Sequence, residues 1–115
     1  YGTHLMELMA EAKDDPLFFG LPNKFNAQCA HHDMVETMPP ESVLLAGSEH
    51  CPVQAFRIGK NVYEMQFHPE RSKEDYEEII RYRFKDHGTP AWAANLAPSP
   101  EAEILMRNFI RFIKY

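Results

Sequence analysis

The sequence lacks the features that mark several classes of protein. It has only two cysteines in 115 residues, Cys29 and Cys51. That is too few for a disulfide framework, so we expect a reducing, cytoplasmic environment. No apolar run approaches the ~20 residues of a membrane-spanning helix, which argues against a membrane protein. The formal charge of −5 and the lack of a basic stripe argue against nucleic-acid binding.

What is present suits one globular domain. The chain is 44% hydrophobic and 25% charged, and its length is close to the commonest domain size. It opens at Tyr1 inside an apparent strand, with no turn or cap before it. We therefore expect that the N-terminal part of a larger domain is missing.

Periodicity predicts a β-rich first half followed by two helices. Two strands, 53–58 and 61–67, flank Gly59-Lys60 and predict a β-hairpin. Ser72 with Asp75 predicts the start of a helix that ends near His87-Gly88. Ser99-Pro100-Glu101 predicts the start of a second helix, which runs to the end of the chain.

The stretch from Tyr63 to Glu70 carries the clearest chemistry. Tyr63, Met65 and Phe67 alternate with polar residues, as in a strand with one buried face, and Pro69 stops the strand. His68 and Glu70 flank that proline, and their spacing places both side chains on one side of an extended segment. A histidine oriented by a carboxylate is the base that a Cys or Ser nucleophile requires. The alternative is a surface histidine and a helix-capping glutamate.

Residues 66–70, Gln-Phe-His-Pro-Glu, resemble the His/Glu motif of class I glutamine amidotransferases. The resemblance covers roughly residues 2–71, and its other segments follow in the family's order: 15–22, 31–33, 44–48 and 51–57. It is closest to amidotransferase domains like that of GMP synthase. It implies an α/β fold: the chain would be the C-terminal portion of a three-layer α/β/α, flavodoxin-like domain, with a β-hairpin and two C-terminal helices. The intact domain would have a mostly parallel sheet continued by an antiparallel part.

The resemblance also implies a reaction and its residues. His68 and Glu70 would be two members of a Cys-His-Glu triad that hydrolyses the side-chain amide of glutamine and delivers ammonia to a synthase domain or subunit. Ala30, His31 and His32 would line the glutamine pocket. No cofactor is expected.

The nucleophile is where the chain departs from the family. The family carries its cysteine in a Gly-x-Cys-x-Gly elbow, and this sequence has no such motif. Cys29 lies between Gln28 and Ala30, and Cys51 precedes Pro52. We therefore interpret residues 1–115 as a partial amidotransferase domain. We expect the chain alone to be inactive, and to self-associate through surface that the missing half would cover.

Two other functions compete with this interpretation. One is a non-catalytic binding or regulatory module that keeps the amidotransferase fold. The other is a metal site built from ligands among His31, His32, Asp33, His50, Cys51 and His68. Adjacent histidines in a strand point to opposite faces, and no paired CxxC or HExxH spacing occurs, so no metal is expected. Arg57 is interpreted as a surface arginine.

Overall fold

A six-stranded sheet forms the centre of the computed structural model, which describes residues 2–31 and 33–113. Its strands are β1 (Gly2–Leu8), β2 (Lys24–Cys29), β3 (Ser42–Gly47), β4 (Ala55–Ile58), β5 (Val62–Met65) and β6 (Phe67–His68). The strand order is β5-β4-β3-β1-β2-β6. Every strand pairing in this part of the chain is antiparallel. Residues 2–31 and 33–113 therefore hold no parallel pairing of the kind expected for most of the intact domain's sheet.

The predicted single strand from Tyr63 to Phe67 is wrong. It is broken at Gln66 into β5, which pairs with β4, and β6, which pairs with β2. The backbone N–H of Gln66 leaves the hairpin ladder and donates to the carbonyl oxygen of Gln54 at 2.7 Å. Since β5 and β6 are the two edges of the sheet and only Gln66 separates them, the sheet curves until its edges meet at this residue.

The predicted hairpin and both C-terminal helices are confirmed. β4 and β5 pair across Gly59, whose φ of 63° lies in the left-handed region that glycine adopts freely. The helices are α1 (Lys73–Arg83) and α2 (Ala102–Ile113). Single turns of 3₁₀ helix occupy Ala10–Asp14, Pro16–Phe18 and Ala91–Asn95.

The start of α1 follows the sequence signal closely, and its end does not. The Ser72 hydroxyl accepts from the N–H of Asp75 at 3.2 Å, and the Asp75 carboxylate accepts from the N–H of Ser72 at 2.7 Å, which is a capping box. The helix ends at Arg83, before the predicted stop at His87-Gly88. The N–H of Phe84 donates to the carbonyl oxygen of Ile80 and completes the last turn.

One face of the sheet packs against α2 and the first two 3₁₀ turns to form the core. Phe25 and Phe67 meet edge to face there, with ring centroids 6.0 Å apart. Leu105 of α2 belongs to the same cluster and is 1% exposed. The other fully buried apolar side chains of the cluster are Met6, Ala12, Leu17, Phe18, Ala27, Cys29, Leu45, Ala46 and Ala55.

Asp15 ties the loop before β2 to the hairpin. Its carboxylate is 1% exposed and accepts from the N–H of Leu17, which caps the 3₁₀ turn, at 2.9 Å. The same carboxylate accepts from the hydroxyl of Tyr63 at 2.9 Å and from the guanidinium of Arg57. Burial, together with the Asp15 contact, raises the pKa of Tyr63 to about 12. Arg57 is therefore not a free surface arginine, as the sequence suggested, because it neutralises a buried carboxylate.

Replacing Asp15 tests how much this network stabilises the fold. Asp15→Ala leaves a partly buried guanidinium and a buried hydroxyl without their shared acceptor, and should lower the free energy of unfolding by about 3 kcal/mol. Tyr63→Phe removes a single donor and should cost about 1 kcal/mol. Denaturant unfolding measures both.

Glu103→Ala provides the control, since it breaks an exposed pair with Arg107 at 3.5 Å and should cost less than about 0.5 kcal/mol. An equal decrease in the free energy of unfolding for Asp15→Ala and Glu103→Ala would show that the buried network is not what joins the loop to the hairpin.

Candidate functional site

His68 is the last residue of β6, and its place in the ladder fixes where its side chain lies. Gln28 stands directly opposite His68, and Cys29 stands opposite Phe67. Residues that face each other in an antiparallel ladder share a face of the sheet, and neighbours along a strand alternate. Because Phe67 is 2% exposed and lies in the core, His68 projects from the other face. Its side chain remains one third exposed.

Glu70 holds one nitrogen of the His68 ring. Nδ1 of His68 lies 2.7 Å from Oε1 of Glu70, across a turn in which the N–H of Arg71 donates to the carbonyl of His68 at 3.3 Å. Pro69 ends the strand and lets the chain turn back. A carboxylate accepts from Nδ1–H, so the ring keeps the lone pair of Nε2 for a proton acceptor role. The spacing of these two residues in the sequence predicted this contact.

His31 lies elsewhere, just beyond the end of β2. Its Nδ1 is 2.8 Å from the carbonyl oxygen of Asp33. Ala30 precedes it and is partly buried, and His32 lies outside the described residues. His31 lines a cavity of about 200 Å³, whose other described lining residues are His4, Cys29, Met34, Ser48, His50, Cys51 and Gln54. His31 thus shares this cavity with both cysteines, and neither His68 nor Glu70 lines it.

Both cysteines are free and buried. Cys29 is 2% exposed on the core face of β2, and burial raises the pKa of its thiol to about 11. Cys51 is 3% exposed, its sulfur donates to the carbonyl of Val53 at 3.3 Å, and burial raises the pKa of this thiol as well. Neither environment favours the thiolate that a nucleophile needs.

Two buried amide side chains and one partly buried carboxylate near these residues were not singled out from the sequence. Gln28 is fully buried, and its amide bonds to the segment before α2. Gln54 is 2% exposed, and its Nε2 donates to the hydroxyl of Ser48 at 3.0 Å. Glu64 accepts from Gln66 at 3.1 Å, and burial raises the pKa of its carboxyl. Only Gln28 carried a detectable signal, as an amide between apolar residues at the end of a strand.

The metal-site alternative finds no support in the geometry. In residues 2–31 and 33–113, no group of three or more histidine, cysteine, aspartate and glutamate side chains could hold a metal ion.

The two helices in that part of the chain are too short and too polar to cross a membrane.

Comparison with known proteins places the chain among curated amidotransferases. Residues 1–86 match the model of the family glutamine amidotransferase class-I. A glutamine-hydrolyzing GMP synthase subunit of Methanococcus maripaludis is 37% identical over 94 residues, which are 73% of this chain and 50% of that protein. The subunit of the same name from Pyrococcus abyssi is 38% identical over 71 residues, 60% of this chain and 38% of that protein. Glutamine-hydrolyzing GMP synthase of Thermosipho melanesiensis is 45% identical over 61 residues, which are 52% of this chain and 12% of that protein. The chain thus spans half or less of these three relatives.

Solved structures show the same fold at low identity. A glutamine amidotransferase of Thermotoga maritima superposes with a TM-score of 0.65 at 19% identity, over 98% of this chain and 48% of that one. A glutamine amido transferase of Methylobacillus flagellatus gives a TM-score of 0.67 at 18% identity, over 98% and 51%. These likenesses confirm the predicted fold class. With the match over residues 1–86, they show that this chain belongs to the class I glutamine amidotransferase family, close to GMP synthase amidotransferase domains.

Proposed function

We propose that this chain supplies the general base, His68, and its orienting carboxylate, Glu70, to a site that hydrolyses the side-chain amide of glutamine. The nucleophile of that site would be a cysteine outside these 115 residues. The ammonia released would pass to a synthase domain or a partner protein with that activity, which the names of the curated relatives suggest. The observation that carries the proposal is the 2.7 Å contact between Nδ1 of His68 and Oε1 of Glu70.

That contact gives each residue a defined task. With Nδ1–H held by Glu70, Nε2 of His68 can take the proton of an approaching thiol, and the thiolate can attack the carboxamide carbon. Glu70 stabilises the imidazolium that results, as the acid of a Ser-His-Asp triad does. The imidazolium then returns the proton to the leaving ammonia, and water hydrolyses the acyl-enzyme. The exposure of both side chains leaves room for a nucleophile and substrate to approach.

Ala30, His31 and His32 remain candidates for binding the glutamine backbone. The support is the position of Ala30 and His31 at the end of β2, the strand that pairs with β6. His31 is also held in place by Asp33, so its ring has a fixed orientation. The substrate itself would bridge from this segment to His68.

Neither Cys29 nor Cys51 suits the role of nucleophile. The side chain of Cys29 shares the core face with Phe67, so the sheet itself separates its sulfur from the His68 ring. A thiol with a pKa of about 11 is ionised in only about one molecule in ten thousand at pH 7. Cys51 bonds to its own loop through Val53.

Alkylation measures the state of both thiols directly. Because burial excludes the reagent and suppresses the thiolate, iodoacetamide at pH 7.5 should label Cys29 of the folded chain at least about 100-fold more slowly than a free thiol. Raising the pH from 9 to 11 should increase the rate as the thiol ionises. Mass spectrometry of digested samples locates the label, and the urea-unfolded chain serves as the control. Rapid labelling of folded Cys29 at pH 7.5 that is lost in His68→Ala would contradict the geometry.

Ammonia release from glutamine tests the proposed roles. The 115-residue chain should release no ammonia above the buffer rate, because it lacks a nucleophile. In the product of the intact gene that encodes it, His68→Ala should lower kcat by about 10²- to 10⁴-fold, the usual contribution of a general base. Glu70→Gln should lower kcat by about 10²-fold or more, because an amide no longer enforces the Nδ1–H tautomer.

His87→Ala is the matched control, since His87 is an exposed histidine beyond α1. It should leave kcat within about twofold of the unmodified protein. Full activity of His68→Ala would overturn the proposed function. Activity of the 115-residue chain that disappears in Cys29→Ser would overturn the proposed position of the nucleophile.

A further inference from the structure

A buried hydrogen-bond network is centred on Gln28, in the strand that pairs with the strand carrying His68. The amide nitrogen of Gln28 donates to the carbonyl of Ala97 at 2.9 Å and to the hydroxyl of Ser99 at 3.1 Å. The amide oxygen of Gln28 accepts from the hydroxyl of Thr3 at 3.0 Å. That hydroxyl in turn accepts from the N–H of Ala97 at 2.9 Å. Since Gln28 is fully buried, each of these bonds replaces one that water would otherwise make.

Gln28 brings this network next to His68, because the two residues pair in the ladder between β2 and β6. Gln28 is the residue directly opposite His68, and the two side chains share a face of the sheet. The ladder between β2 and β6 consists of two residue pairs, of which this is one. Few backbone bonds therefore hold His68, and movement of β2 at Gln28 would move the base.

The same network also reaches the turn that carries Glu70. Ser99 lies between Pro98 and Pro100, and these three residues line a cavity of about 170 Å³. The same cavity is also lined by residues 69–74, which include Glu70, and by Glu103. Gln28 thus anchors the segment that shares this cavity with the Glu70 turn, and it stands opposite His68 at the same time.

We propose that Gln28, with Thr3 and Ser99, is a positioning device that keeps His68 and Glu70 within hydrogen-bond distance of each other. The inference rests on the proposed function, because it concerns the same base and carboxylate. Ala97 and Ser99 lie beyond residues 1–86, so the device joins the C-terminal segment to the part of the chain that matches the family. Gln28 acts through the backbone and the packed segment and touches neither substrate nor reacting atoms.

The tautomer of His68 separates a positioning role from a merely structural one. A buried amide that only stabilised the fold would lower the melting temperature and leave the tautomer of a folded molecule unchanged. A positioning residue would alter the tautomer, because Nδ1–H is enforced only while Glu70 remains in contact. The ¹⁵N chemical shifts of Nδ1 and Nε2 report the tautomer in the 115-residue chain itself, without any need for activity.

The test and control variants remove similar buried polar groups from different places in the fold. Gln28→Leu removes the amide at nearly constant volume, and Thr3→Val removes the hydroxyl at constant shape. Asn108→Leu is the control, because Asn108 is another buried amide that donates to two carbonyls, those of Leu17 and Phe19, at 2.9 and 2.8 Å. Thr3→Ser restores the hydroxyl and serves as the rescue.

At pH 8, the unmodified chain, Asn108→Leu and Thr3→Ser should each show neutral His68 as the Nδ1–H tautomer. Gln28→Leu and Thr3→Val should show a mixture of the two tautomers. The His68→Gln spectrum assigns the signals. In the product of the intact gene, Gln28→Leu should lower kcat for ammonia release about tenfold with KM within about twofold, as expected when a base is displaced.

The outcomes distinguish failure of the positioning role from failure of the proposed function. If Gln28→Leu and Asn108→Leu both keep the Nδ1–H tautomer, the positioning role is wrong and the proposed function stands. If the unmodified chain itself lacks that tautomer, the His68–Glu70 pairing of the proposed function fails. If Gln28→Leu does not fold, as its amide spectrum would show, Thr3→Val against Thr3→Ser decides: a retained tautomer in Thr3→Val overturns the inference, and a mixture rescued in Thr3→Ser supports it.

Discussion

The burial of Phe67 against Phe25 is the contact on which the rest of the site depends. In a strand of only two residues, the side chain that enters the core decides which side chain does not. With Phe67 in the core, His68 must project from the opposite face, beside Gln28 and away from Cys29. A slip of one residue in the register would bury His68 and expose Phe67, at the cost of most of the core contact that this strand makes. The packing of one aromatic ring thus fixes the place of His68, the proposed base, and keeps it on the opposite face from Cys29.

Local patterns in the sequence predicted the features whose causes are local. The hairpin follows from two alternating strands around Gly59, and the start of α1 follows from a capping box whose two members are three positions apart. The contact between His68 and Glu70 is also local, because Pro69 ends the strand and the i, i+2 spacing brings the two side chains together. The family match over residues 1–86 supports the proposal that this pair is catalytic, which spacing alone leaves open.

The features that the sequence did not predict depend on residues far apart in the chain. Asp15 meets Arg57 and Tyr63 across more than 40 residues, and Gln28 meets Ala97 and Ser99 across about 70. No periodicity marks such partners, because each is an ordinary polar side chain or a backbone carbonyl until the fold brings them together. The break at Gln66 was missed for a related reason: the alternation of apolar residues continues through it while the strand changes its hydrogen-bonding partner.

His68 and Glu70 are proposed to serve a nucleophile that lies outside these 115 residues. The most direct measurement uses an electrophilic analogue of glutamine, which alkylates the cysteine that attacks the substrate. The product of the intact gene would be treated with the analogue and digested, and the modified peptide identified by mass spectrometry. We expect an adduct on a cysteine outside these 115 residues that no longer forms in His68→Ala. An adduct on Cys29 or Cys51 would contradict it.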